Sequence, residues 1–531
     1  MENLGNAGTG PRRYPIGIQS FEKLRSEGYV YVDKTRQMYK LIQMGNPYFL
    51  SRPRRFGKSL MLSTLKAYFQ GKKELFKGLF IETVEKDWKT YPVLHLDLNA
   101  EKYENRSDLE IFLEHQLCTW ERLYETDGAD ISHSGRFMEV IRKAYEKTGL
   151  RVVVLIDEYD KPLLRSFHDE SLQNEFRELL TAFYSVLESA DQWLQFVFIT
   201  GVTKFAQVGI FSNLNQLRDI SFNSQFYDLC GLTKREIEDN SGSDLDALAE
   251  NNDVTRDEAV AELARMYDGY YFSGDQQEGI YNPFSVLQAL ADSKFNDYWF
   301  ASGTPTFLVE MLQRTDFDLR KMEGVIASAA SLSDDRANIR NPIPMIYQSG
   351  YLTIKSYDKE FRSYTLGFPN EEVKYGFLNF VMPFYTGISA EDTPFYIEHF
   401  VKELRNGDVN SFLTRLRAFF ADFPYELNDR SERHYQVVFY LVFRLMGQFA
   451  ETEVHSARGR ADAVVKTKGY IFVFEFKLNG SAGEALAQID EKGYLIPYTA
   501  DERKLIKIGV NFDAAERNIG EWIIDEDTSR I

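Results

Sequence analysis

From about Tyr29 to Arg235, short apolar runs alternate with longer helical stretches. The runs YFLS (48–51), VLHLDL (93–98), VVVLID (152–157) and QFVFIT (195–200) read as strands, separated by helical segments such as SLMLSTLKAYF and EFRELLTAFYSVLES. Near-continuous apolar strands alternating with helices predict an α/β fold with a parallel sheet covered on both faces. The pattern then changes. Residues 231–320 read as mostly helical, broken at NSGSD and SGDQQEG. Residues 345–385 carry YLTI, the charged turn SYDKEFRS, YTLGF and a helix from near Asn370, which outlines a small winged-helix-like module. A helical connector fills roughly 390–430. From Ser431 a helix leads into strand-like segments up to Lys477 and then into the helix GEALAQIDEKGYLIPY. Four parts are expected, at 1–230, 231–325, 326–430 and 431–531, the last a second α/β domain. No internal repeat and no low-complexity tract interrupts them.

Length agrees with that division, because 531 residues exceed what one core accommodates. With 44% hydrophobic and 27% charged residues, the composition is that of a globular protein. A net charge of −18 argues against a surface built for indiscriminate nucleic-acid binding. Residues 1–60 run the other way, with eleven Lys and Arg against four Asp and Glu, a balance of +7. A basic segment in an acidic chain suggests a local anion site. Cys118 and Cys230 make neither a metal-ligand spacing nor a disulfide framework, so two buried thiols in a reducing compartment are expected. The N-terminal MENLGNAGTGPRR lacks an apolar run and a cleavage site, and no stretch reaches the ~18–20 apolar residues of a membrane span. A cytoplasmic protein with no membrane contact is the expectation.

Two strings carry nucleotide chemistry. RPRRFGKS (52–59) stands between the strand YFLS and the helix LMLSTLKAYF, the strand–loop–helix setting of a P-loop. Backbone N–H groups of Arg55, Phe56 and Gly57 and the helix N-terminus would face phosphates, with Lys58 reaching the β- and γ-phosphates and the Ser59 hydroxyl on Mg²⁺. Arg52 occupies the place of the usual first glycine. The bland alternative is a basic turn before a helix. VVVLIDE (152–158) is an apolar strand ending in two carboxylates, the Walker B pattern. Asp157 would hold the Mg²⁺ shell and Glu158 would orient or deprotonate the attacking water. Thr200 or Thr203, after the strand QFVFIT, is a candidate sensor, or simply a cap.

Together, PIGIQSFEKLRSEGYVYVDKT, RPRRFGKSL, LIDEYDKPL, ITGVTKF and IFSNLNQLRDIS resemble the AAA-ATPase-like family found in many bacterial genomes, over roughly residues 12–235. That family has Arg at the first P-loop position. The resemblance implies ATP binding by Lys58 and Ser59, and it implies that Asp33 and Lys34 lie near the nucleotide. Arg218 is a candidate arginine finger only because it follows the sensor region.

The C-terminal constellation is GRADAVV (459–465), YIFVFEFK (470–477) and AQIDEKGY (487–494). Glu475 and Lys477, two apart on a strand, share a face, and Asp462 comes alongside from the preceding strand. Two carboxylates and the Phe476 carbonyl would make a hard oxygen site for Mg²⁺ or Mn²⁺. Lys477 would orient the attacking water or stabilise charge on the phosphate. The bland alternative is a solvated acid–base pair on an exposed strand. The pattern resembles the PD-(D/E)xK nuclease superfamily over about 431–531. The resemblance implies a further metal-site carboxylate, Glu432, on the preceding helix, and a polar position facing the site at Gln488, with Lys492 one turn on. His434 and His455 read as helix-surface and strand-edge residues, and Tyr435, Phe439, Tyr440 and Phe443 as core.

The combined expectation is an ATPase coupled to a Mg²⁺-dependent nuclease acting on nucleic acid, with Glu158, Asp462, Glu475 and Lys477 as its catalytic set. The rivals are an ATP-driven switch whose nuclease fold only holds nucleic acid, and a nucleotide-binding scaffold. Assembly into oligomers stays open.

Overall fold

The structure, a computed structural model, describes residues 12–45, 47–126, 128, 132–204, 210–211, 214, 216–301, 308, 311–312, 317–332, 341–389, 391–423, 432–454, 461–478, 480–513 and 515–526. The chain divides into two compact units. One comprises Met1–Phe317 and Glu323–Val373, and the other Asp318–Met322 and Lys374–Ile531. Among the described residues, no helix is long and apolar enough to cross a membrane.

In the first unit the four expected strands form, as β1 (Tyr48–Ser51), β2 (Val93–Asp97), β3 (Val152–Asp157) and β4 (Leu194–Gly201). They join a short β5 (Arg218–Asp219) in a five-stranded sheet of order β2-β3-β4-β1-β5, parallel throughout. The burial pattern follows position in the sheet. Central β3 is buried at every residue, whereas β2, at the edge, alternates buried and half-buried residues. Parallel strands leave all their carboxyl ends on one edge, so the loops after β1, β3 and β4 converge there.

The stretch after β5 is mostly helical, as its polar breaks suggested. Helices Lys234–Asn240 and Arg256–Tyr267 each begin with a capping box, Thr233 with Glu236 and Thr255 with Glu258. Their apolar faces meet helix Pro283–Asp292 and the N-terminal Tyr14 around Leu245, Leu248, Leu263 and Val286. The wing hairpin is present as β7 (Thr353–Asp358) and β8 (Ser363–Gly367), followed by helix Glu371–Thr386. A third strand, β6 (Val325–Ser328), pairs antiparallel with β8.

The second unit holds helices Thr393–Arg405, Val409–Ala421 and Glu432–Met446. Its sheet has the order β13-β12-β11-β10-β9, built from β9 (Glu451–Val454), β10 (Ala463–Lys466), β11 (Tyr470–Leu478), β12 (Lys504–Asp513) and β13 (Asn518–Glu526). Only β11 and β12 are parallel, and helix Ala482–Glu491 lies between them in the chain. Alternation along β11 sorts its two faces. Phe474 and Phe476 meet Phe412, Phe439 and Phe443, while Ile471 and Val473 pack with Ile489 of helix Ala482–Glu491. The expected core residues Phe439, Tyr440 and Phe443 are buried, and the side chain of Tyr435 lies outside the described residues. Cys230 is buried as expected, but Cys118 is only half-buried, because it sits on a helix face beside Glu114 and Arg136.

One buried carboxylate outside the sites ties the helical region together. Glu372 accepts hydrogen bonds from the Ser285 hydroxyl (2.8 Å) and the Trp299 N–H (2.6 Å). Burial pushes its carboxyl up from 4.5 to about 8, against the opposing pull of those two donors. A carboxyl raised in the fold favours the fold while protonated, so its contribution is full below about pH 4.5 and is lost as pH rises through about 8. Differential scanning calorimetry between pH 5 and 8 should show the unfolding temperature falling with pH, and Glu372→Gln should flatten that slope.

Candidate functional site

At the carboxyl edge of the first sheet, the chain leaves β1 and winds through 52–57 into helix Lys58–Phe69. Gly57 has φ 88° and a Cβ there would meet nothing, so glycine is required by backbone conformation rather than by space. Arg55 is also left-handed, at φ 68°. The first backbone bond of the helix runs from the Met61 N–H to the Gly57 carbonyl. Among the described residues, the N–H groups of Arg54 to Leu60 therefore have no acceptor. That row of free donors at a helix start is an anion cradle.

Side chains in this loop divide sharply. Lys58 is buried, donates to the Arg52 (3.1 Å) and Pro53 (3.2 Å) carbonyls, and stands 3.5 Å from Glu158 Oε1. Arg52 turns away from the cradle. It is 1% exposed, donates to the carbonyls of Ser51, Ser221 (both 2.9 Å) and Phe226 (3.3 Å), and lies over the Phe272 ring. Burial lowers its guanidinium to about 10. The residue in the first-glycine place is thus a structural clamp on 221–226. Phe56 packs its ring between Tyr270 and Phe272, leaving only its backbone N–H for a ligand, and Arg55 lies exposed over the Phe284 ring.

Asp157 ends β3, buried, with the Thr200 hydroxyl donating to it at 2.6 Å and the Ser59 hydroxyl near enough to favour its charged form. Burial raises its carboxyl above the ordinary range. Glu158 follows with φ 52° and turns back toward Lys58. Hydroxyl and carboxylate at Ser59–Asp157 form an oxygen donor set of the kind Mg²⁺ takes. The two sensor candidates are both committed to carboxylates, Thr200 to Asp157 and Thr203 to Asp160, and neither lines the cavity described next.

A cavity of about 330 Å³ lies over the loop. Its walls include Ile16 to Gln19, Arg54 to Leu60, Asn99, Glu158, Lys161, Phe284, Trp299 and Tyr351. Trp299 Nε1 donates to the Arg54 carbonyl (3.3 Å). Asn99, Lys161 and the aromatic wall were not singled out by sequence. Lys161 lay in the string LIDEYDKPL, but nothing in a linear pattern says which side of the turn it faces. Asp33 and Lys34 do not line this cavity. Asp33 accepts from the Thr35 and Phe80 N–H groups, and Lys34 pairs with Glu236 at 2.6 Å beside a smaller apolar pocket behind the loop. Arg218 is no finger in its own chain. It pairs with Tyr48 at the start of β1, the sheet end opposite the loop.

The second cluster forms on β11. Ala463 opposes Phe474, so Asp462 arrives beside Glu475, and Asp462 Oδ2 accepts the Phe476 N–H at 2.9 Å. Glu475 is 3% exposed and Lys477 Nζ stands 3.6 Å from its Oε1. Gln488 bridges them, its amide nitrogen donating to Glu475 Oε1 and its oxygen accepting from Lys477 Nζ. The Tyr494 hydroxyl, unmarked by any sequence reading, stands 3.4 Å from Gln488. Gln488 comes this close because Gly509, paired with Glu475, lies under helix Ala482–Glu491. A Cβ at 509 would be 2.2 Å from the Ala482 carbonyl. Lys492, by contrast, is exposed at the helix end.

Burial, and next the Asp462 charge, push the Glu475 carboxyl up to about 7, with Lys477 pulling the other way. Its Oε2 is buried with no hydrogen-bond partner among the described residues. A buried carboxylate oxygen left open beside a second carboxylate fits a divalent cation. Among the described residues no group of three or more His, Cys, Asp or Glu forms a complete metal cage. The Glu432 side chain, Gly459, Arg460 and His455 lie outside the described residues.

Comparison with known proteins follows the same division. The family described as a predicted AAA-ATPase matches residues 15–211, and the PD-(D/E)XK nuclease superfamily matches residues 430–522. A protein of Azotobacter chroococcum mcd 1, called "Uncharacterized protein in vnfD 5'region", is 35% identical over 525 residues, covering 97% of this chain and 99% of its own.

The placement of Arg52 yields a test. Arg52→Gly restores the usual first glycine but strips the clamp from three carbonyls, so it should cost about 3 kcal/mol of stability without improving nucleotide affinity. Chemical denaturation and calorimetric titration with ATP measure the two effects.

Proposed function

Because the chain belongs to the predicted AAA-ATPase family and ends in a PD-(D/E)XK nuclease superfamily domain, we propose that it binds and hydrolyses ATP and cuts nucleic-acid phosphodiesters in a metal-dependent reaction. The observation that carries the nuclease reading is Glu475 Oε2, a buried carboxylate oxygen with no partner among the described residues, held beside Asp462. Mg²⁺ or Mn²⁺, held by Asp462 and Glu475, would supply Lewis-acid activation of the phosphate there. Gln488 occupies Glu475 Oε1 and so leaves Oε2 as the oxygen that would hold the metal. Lys477, fixed by the same glutamine, presents its ammonium to charge building on the phosphate. Cleavage would take place in the cytoplasm.

For ATP, the free N–H groups of 54–60 and Lys58 receive the phosphates, and Ser59 with Asp157 would hold Mg²⁺. Glu158 turns its carboxylate into the same cavity, where it takes a proton from the attacking water.

Lys58→Ala should abolish detectable ATP binding in calorimetry while the fold persists. Glu158→Gln should keep binding and lose hydrolysis, because its amide cannot take the proton. Normal hydrolysis by that variant would remove Glu158 as the base.

At the second site, the full chain with Mg²⁺ or Mn²⁺, assayed with and without ATP, should cut DNA or RNA, and EDTA should stop it. Asp462→Ala and Glu475→Ala should lose metal binding and cleavage together. Lys477→Ala should retain the metal and cut about a hundredfold more slowly. If single- and double-stranded substrates of both kinds stay intact throughout, the domain holds nucleic acid without cutting it and the switch reading replaces this one.

A further inference from the structure

We propose that Lys161 is this chain's own counter-charge to the γ-phosphate, doing within one chain what an arginine finger from a neighbour does in other P-loop enzymes. The inference rests on the ATP-site reading above and adds to it a side chain that no motif assigned. Three observations carry it. Lys161 lines the cavity that also receives Lys58, Ser59 and Glu158. Its N–H donates to the Glu158 carbonyl at 2.9 Å, so its backbone is fixed to the turn that presents the water-activating carboxylate. Its Nζ donates to Asn99 Oδ1 at 2.8 Å, and among the described residues no carboxylate stands within ion-pair distance of it.

An ammonium held over a cavity by a neutral amide keeps its charge available to a ligand. Burial lowers the Lys161 pKa, the Glu158 and Asp160 carboxylates pull against it, and Arg54 and Arg165 add to it, so a further anion in the cavity favours the charged form. The other cations of the cavity are placed differently. Lys58 is engaged by Glu158 and two carbonyls, and Arg55 lies over Phe284. Arg54 enters from the phosphate loop itself, where its carbonyl is tied to Trp299. Of the cavity's cations among the described residues, Lys161 alone comes from the turn after β3, the side of Asp157 and Glu158, whose carboxylates serve the attack on the γ-phosphate in this reading. Asn99, from the end of β2, acts as its positioning residue.

The test uses the full chain with Mg²⁺, comparing affinity for ADP with affinity for ADP–aluminium fluoride, a mimic of the transferring phosphoryl group, alongside ATP turnover. Lys161→Ala and Lys161→Met should bind ADP as wild type does, lose the preference for the fluoride complex, and turn over ATP about a hundredfold more slowly. Lys161→Arg should recover part of both, Asn99→Ala should show a smaller loss, and turnover per chain should not depend on protein concentration. Wild-type turnover and fluoride affinity in Lys161→Ala would overturn the inference while leaving the ATPase reading standing. Turnover per chain that climbs with protein concentration and ignores Lys161 would overturn it in favour of a finger from a second copy. A wild type that does not hydrolyse ATP would sink the hydrolysis reading instead, and the Lys161-dependence of fluoride-complex binding would still decide this one.

Discussion

A carboxylate at the end of the buried run of a strand covered on both faces is cut off from bulk water, and both candidate sites of this protein are built on that constraint. β3 runs six buried residues into Asp157, and β11 runs a buried apolar stretch into Glu475. In each case desolvation is the largest influence on the carboxyl and raises it. The chain answers with a few fixed donors. Thr200 and Ser59 serve Asp157, while Gln488 and Lys477 serve one oxygen of Glu475. What remains is a charge best completed by a cation, which is why apolar strands ending in acids so often mark phosphate chemistry.

The same economy of donors explains the loop between β1 and helix Lys58–Phe69. Its backbone N–H groups stay free because the loop is held from outside rather than by bonds to itself. Arg52 anchors it to 221–226, Phe56 wedges it between Tyr270 and Phe272, and Trp299 takes the Arg54 carbonyl. A glycine at 52 would leave the loop without its deepest anchor. The basic segment at the N-terminus is therefore not one electrostatic patch. Arg52 is buried structure, Lys58 is part of the cradle, and Arg54 and Arg55 line the cavity.

Element type, order and the two acid-bearing strands were legible in the sequence, because each depends on local pattern: apolar runs for buried strands, two-residue spacing for the shared face of Glu475 and Lys477, Gly-Lys-Ser for the loop. The strands β12 and β13 were not read. They complete the second sheet through long-range pairing, and β12 departs from simple alternation where it passes under a helix at Gly509. Asp33 and Lys34 were drawn toward the nucleotide by resemblance, yet local capping and a partner 202 residues away, Glu236, claim them.

The sequence by itself therefore determined the chemistry available: a Gly-Lys-Ser loop, two apolar runs that end in acids, a lysine two residues past the second acid, and the polar Gln488 on a later helix. Tertiary structure alone decided which charges line the cavity. Arg52 and Arg218 are as cationic as Lys161 on paper, but one is folded inward onto carbonyls and one lies at the far end of the sheet. Lys161 is left in the cavity with a neutral amide for company. The reason is physical: the energy of a charge depends on the donors, acceptors and burial that the fold assembles around it, and those neighbours come from distant parts of the chain.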